Sequence, residues 1–142
     1  MNIEAILQNK GGEVVTVRCD TPVRDAVALL AERKIGALPV LKDDEVVGIM
    51  SERDVIYCLA RDGAGMLDWP VEKTMTAPVI SAEPKMPVLA ALGLMTERRI
   101  RHLPVLDGGR LVGLVSIGDL VKFRMDRIEA EAAALRTYIQ TA

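Results

Sequence analysis

The chain has 142 residues, half of them apolar and 27% charged, with a formal net charge of −2. This is a globular composition, sized for one ordinary domain or for two small units that must lean on each other, and it excludes a disordered chain. The near-neutral balance and the 3% aromatic content argue against nucleic-acid binding, which calls for a basic stripe with stacking rings.

No apolar run approaches the roughly 18–20 residues of a membrane span. Met1–Lys10 lacks the basic start and apolar run of a secretion signal. Cys19 and Cys58 stand in unrelated contexts with no CxxC, so reduced thiols and a cytoplasmic location are expected.

In chain order, Ile3, Ile6 and Leu7 predict a short amphipathic helix over Asn2–Asn9, closed by Gly11-Gly12, within an N-terminal segment 1–13. The β-branched run Val14–Val17 opens a unit spanning 14–65. Thr21-Pro22 predicts a helix start, with threonine as N-cap and proline at the first helical position. Val23, Ala26, Val27, Leu30 and Ala31 form the buried stripe of that helix. Leu38–Leu41 and Val46–Met50 read as strands joined by the polar turn Lys42–Glu45, and Ser51–Ala60 as a helix ending near Gly63-Ala64-Gly65. A connector, 66–78, carries a turn at Trp69-Pro70 and one helical turn over Val71–Thr76. A second unit, 79–123, then repeats the order with strand Val79–Ser81, helix Val88–Arg99 and strands Leu103–Leu106 and Leu111–Val115, the last two joined at Asp107-Gly108-Gly109. In the C-terminal helix, 124–142, Val121, Met125, Ile128, Ala132, Leu135 and Ile139 continue a seam at alternating steps of four and three, about two and a half heptads. That seam packs either across a dimer or against the Ile3/Leu7 helix.

The two units are copies. A gapless shift of 65 residues lays Ser51 on Ser116, Asp54 on Asp119 and Gly48 on Gly113, and Leu-Pro-Val-Leu recurs at Leu38–Leu41 and Leu103–Leu106. About 15 of some 41 aligned positions are identical. Each copy reads β-α-β-β-α and would be marginal alone, so the two are expected to share a core.

Ser51-x-x-Asp54 and Ser116-x-x-Asp119 place a hydroxyl and a carboxylate on a helix's first turn, just beyond a strand end. Each is a capping box, and each also stands where open α/β sheets bind ligands; the two roles are compatible. Arg98, Arg99, Arg101 and His102 form a basic cluster before the second unit's first hairpin strand, suited to an anionic group. His102 is the only histidine, and no Cys/His/carboxylate spacing marks a metal site. Gly48 and Gly113 read as backbone requirements of their strands. No nucleophile–base pair can be assembled, which argues against an enzyme.

The doubled β-α-β-β-α unit, the strand motifs IGALPV and IRHLPV and the helix starts SERD and SIGD resemble a tandem pair of cystathionine-β-synthase-type (CBS) domains, or Bateman module, of the small stand-alone bacterial kind. The resemblance implies an α/β (α+β) fold: two pseudo-symmetric repeats packed on each other, flanked by N- and C-terminal helices and dimerising into a disc. It implies a non-catalytic sensor that binds an adenosine nucleotide (AMP, ADP, ATP or NAD(H)) between the repeats and is read by a regulated partner. Alternatives are an S-adenosyl-ligand sensor and a structural dimerisation module with vestigial clefts. Carried onto this sequence, Asp119 and Asp54 accept hydrogen bonds from ribose hydroxyls, Ser116 and Ser51 assist, and Arg101 and His102 hold phosphate. The Asp119 cleft is expected to receive Thr21, Gly36 and Ala37 and to be the better site. The Asp54 cleft is expected to receive Met86 and Arg101, with Arg53 beside its acid.

Overall fold

The computed structural model describes residues 1–141. Helix α1 (Ile3–Lys10) starts at Asn2, whose side chain accepts from the Ala5 N–H, and ends at Gly11, where φ is 95°. The first repeat comprises β1 (Val17–Arg18), α2 (Val23–Arg33), β2 (Ala37–Lys42), β3 (Glu45–Ser51) and α3 (Glu52–Asp62). Two 3₁₀ turns follow, Ala64–Asp68 and Val71–Lys73. The second repeat comprises α4 (Val88–Arg98), β4 (His102–Asp107), β5 (Arg110–Ser116) and α5 (Ile117–Thr141), the last continuous through the boundary at 123/124.

Each repeat is built on the Leu-Pro-Val-Leu strand. In β2, Ala37, Leu38, Pro39 and Val40 are all buried, because a helix covers one face and the rest of the molecule the other. β2 pairs antiparallel with β3 and parallel with β1; β4 pairs antiparallel with β5 in the same register, with the same one-residue slip after Val105 as after Val40. Such a slip is a β-bulge, which increases the local twist. The hairpin turns differ in chemistry but not in shape: Asp43 and Asp44, like Gly108 and Gly109, take positive φ, as a tight hairpin requires.

Three sequence expectations are corrected. Helix α2 is capped at Pro22 rather than Thr21, because the Thr21 hydroxyl is occupied in accepting the Arg18 N–H at 3.2 Å. Val79–Ser81 is not a strand; a single bridge forms at Ala82, whose N–H donates to Pro104 and whose carbonyl accepts from Leu106. Pro84, without an N–H, stands where the ladder would continue.

The core, too, differs from the expected one. Two apolar clusters form instead of one shared core, and each is completed by a segment lying outside its own repeat's β-α-β-β-α unit. Helix α1 crosses to the second repeat, where Ile3 and Ile6 are buried among Val88, Ala91, Met95 and Leu120, and the Ile3 N–H donates to the Met86 carbonyl at 3.0 Å. The connector covers the first repeat: Met66 and Val71 are buried among Val17, Val23, Leu38 and Met50, and the Val71 N–H donates to the Thr21 carbonyl at 2.8 Å. The repeats meet along β3 and β5.

Candidate functional site

Helix α3 begins with a complete capping box. The Asp54 N–H donates to Ser51 Oγ at 3.2 Å, and the Ser51 N–H donates to Asp54 Oδ2 at 2.9 Å. These bonds aim the Asp54 carboxylate out of the strand end, near the positive end of the helix dipole. The other carboxylate oxygen, Oδ1, accepts the Thr76 hydroxyl at 3.0 Å.

Asp54 lies in a cavity of about 150 Å³ built from both repeats. The first repeat supplies Gly36, Ala37, Ile49 and Ser51–Asp54; the connector supplies Thr76 and Pro78, and the second repeat Ile80 and Arg99–His102. The lining is therefore mixed: Ile49, Pro78, Ile80 and Ile100 give it an apolar wall, and Arg53, Arg99 and Arg101 join the acids Glu52 and Asp54 in it. Arg99 takes the left-handed conformation (φ 55°) that ends α4 and swings the chain back toward the cavity; Lys34 does the same (φ 54°) after α2. Apolar side chains, an aimed carboxylate and cationic side chains in one cavity suit a ligand with a ring, a diol and an anionic tail.

His102 stands at the seam. A Cβ on Gly36 would lie 3.0 Å from His102 Nε2, so the absent side chain of Gly36 makes room for the imidazole. Burial lowers the His102 pKa, Glu52 and Asp119 pull it back up, and Lys10 and Arg101 push it further down; the net shift is downward. The ring is thus neutral at pH 7, and it feels charges on both sides of the seam.

The second carboxylate is placed differently. Asp119 is held by Ser116 through the same reciprocal pair, at 2.8 and 3.1 Å. Its Oδ2 also receives the Lys10 ammonium at 2.6 Å, and Lys10 donates as well to the Leu114 carbonyl at 2.8 Å. Burial works to raise the Asp119 pKa, but Lys10 and Ser116 outweigh it and hold the carboxyl below its ordinary value. Leu7 of the same helix presses on Gly113, where a Cβ would come within 2.5 Å of Leu7 Cδ2.

Of the residues singled out in the sequence, Gly36, Ala37, Ser51, Arg53, Asp54, Arg101 and His102 line one cavity, while Ser116 and Asp119 lie under α1. The expected grouping is therefore corrected. Gly36 and Ala37 line the Asp54 cavity, because the turn after α2 brings them to the start of α3, where the Glu52 N–H donates to the Gly36 carbonyl at 3.0 Å. Thr21 serves the turn before α2, and Met86 packs in the second core rather than in the Asp54 cavity. Sequence reasoning missed Thr76, Lys10 and the apolar wall. Arg99 was visible as part of the basic cluster, but nothing in the sequence marks Thr76 or Lys10, whose roles depend on how the connector and α1 cross the repeats.

A profile described as "CBS domain" matches residues 9–61 and 71–126. A mitochondrial CBS-domain-containing protein of Arabidopsis thaliana is 34% identical over 97% of this chain and 71% of its own length. The solved structure of a protein with CBS domains from Burkholderia ambifaria is 42% identical, covers 89% of this chain and 95% of that one, and superposes with a TM-score of 0.84. The CBS domain pair of protein MJ0100, solved with 5′-methylthioadenosine and S-adenosyl-L-methionine, is 25% identical, covers 89% of this chain and 98% of that one, and has a TM-score of 0.79.

Proposed function

The chain belongs to the CBS-domain family as a tandem pair, and from that premise we propose that it is a non-catalytic sensor of an adenosine-containing ligand bound in the Asp54 cleft. The observation that carries this reading is the aimed Asp54 carboxylate inside a cavity walled by both repeats. A ribose diol offers two donors to one carboxylate, in charge-assisted bonds that are the stronger kind. With the ribose on Asp54, the base fits the slot formed by Ile49, Pro78 and Ile80, and an anionic tail reaches Arg53, Arg99 and Arg101. The three guanidinium groups favour AMP, ADP, ATP or NAD(H) over S-adenosyl ligands, although a relative's pair was solved with the latter.

Because the cavity takes walls from both repeats and from the connector, a ligand there holds them in one mutual arrangement. It shifts the molecule by its differential affinity for that arrangement, and a regulated partner reads the shift. Homodimerisation fits the exposed apolar face of α3, where Ile56 is 61% and Tyr57 64% exposed.

A thermal-shift panel of AMP, ADP, ATP, NAD⁺, NADH and S-adenosylmethionine on the wild type and on Asp54→Ala tests the reading. At 100 times its dissociation constant, a ligand stabilises by about 2.7 kcal/mol. The expected result is a raised melting temperature for a phosphorylated member of the panel, lost in Asp54→Ala. No shift with any of them leaves the pair as a structural dimerisation module.

A further inference from the structure

Helix α5 outruns the body it grows from. Leu120 is buried, but from Met125 onward the described residues are exposed, Ala132 alone being partly covered. Helix α1 packs only on its first turns, near Leu120 and Phe123, so the Ile3/Leu7 helix does not cover the seam. A lone solvated helix of that length is marginal in water and depends on a packed face. The face is there: Ile128 is 49% exposed, Met125 55% and Leu135 60%.

We infer that this seam is an interface with a second copy of the chain, formed as a parallel, in-register two-stranded coiled coil. With Val121, Ile128 and Leu135 at d and Met125, Ala132 and Ile139 at a, the flanking e positions are Lys122, Glu129 and Arg136, and the g positions Arg124, Glu131 and Tyr138. In a parallel pair each g residue faces the following e residue of the other helix. Arg124 then meets the partner's Glu129, and Glu131 meets the partner's Arg136, and two-fold symmetry repeats both attractions. The alternatives are repulsive. A slip of one heptad sets Arg124 against the partner's Arg136, or Glu131 against the partner's Glu129. An antiparallel pairing along the full seam sets each Glu129 and each Glu131 against its own copy, and Lys122 against the partner's Arg136. The charges thus select the second copy, its direction and its register.

Cysteine cross-linking of the full chain tests this. Ile128→Cys and Leu135→Cys, oxidised mildly, are both expected to give a covalent dimer on a non-reducing gel, several-fold above wild type and above Ala130→Cys on the opposite face. Adding Glu129→Arg is expected to lower the yield, and adding Arg124→Glu with it to restore the yield. Cross-linking at neither position, at only one of them, or equally at Ala130→Cys overturns the inference, as does a yield indifferent to the charge reversals. Ile128, Glu129, Ala130 and Leu135 lie on the exposed stretch of α5, and Arg124 just before it is partly exposed and outside the buried core, so the fold of the body is preserved in every variant.

Discussion

His102 carries a cost of burial that only acid reveals. Its pKa in the folded chain lies below the ordinary 6.5, chiefly because burial disfavours the imidazolium. Between that lowered value and 6.5 the unfolded chain binds a proton that the folded chain does not, so stability rises with pH through this window. The contribution is complete above 6.5 and is lost as the pH falls. As the only histidine, it dominates the side-chain titration between pH 5.5 and 7. Urea midpoints at pH 7.5 and 5.5 are expected to fall more for the wild type than for His102→Gln; equal losses contradict the assignment. Gly48 gives a steric counterpart. A Cβ there would lie 2.6 Å from Met75 Sδ and 2.9 Å from the Thr76 carbonyl, which is backbone and cannot turn aside. Gly48→Ala is expected to cost about 1–3 kcal/mol by overpacking. Gly65→Ala, with nothing within 4 Å of the new methyl, is expected to stay within about 0.5 kcal/mol in the same denaturation experiment.

Helix α1 makes the two acids unequal. Thr76, a neutral hydroxyl, meets Asp54, whereas the Lys10 ammonium meets Asp119. A ribose arriving at Asp119 must displace a cation that is already hydrogen-bonded to it. Lys10→Met is therefore expected to raise the number of adenosine nucleotides bound per chain from one to two in equilibrium dialysis, at little cost in stability, since exposed ion pairs contribute about 0–1 kcal/mol. A count that stays at one would mean that Lys10 does not guard the second cleft. The repeats, their LPVL strands and their capping boxes are legible in the sequence because each is local: a period, a spacing or a turn residue. The exchange of α1 and the connector is not legible, because helical periodicity shows that Ile3 and Ile6 are buried without showing against what. The expectation that Asp119 has the better cleft rested on residues aligned between copies, and Lys10 falls outside the aligned stretch. Thr21 misled for a similar reason: a good N-cap residue was taken by the turn before it.

At the scale of the whole chain, two small repeats become one structural unit because neither finishes its own core. The N-terminal helix and the connector lace the repeats together, and the same connector supplies Thr76 and Pro78 to the Asp54 cavity. Anything bound there would touch the first repeat, the connector and the second repeat at once, and the proposed function rests on the leverage this gives a small ligand. In the native chain Asp54, not Asp119, is proposed to hold the ligand. Equilibrium dialysis of AMP or ATP, whichever gives the larger thermal shift, against the wild type, Asp54→Ala and Asp119→Ala tests this most directly. One equivalent is expected to be bound by the wild type and by Asp119→Ala, with binding by Asp54→Ala weakened at least tenfold. Full binding by Asp54→Ala with loss in Asp119→Ala would contradict it.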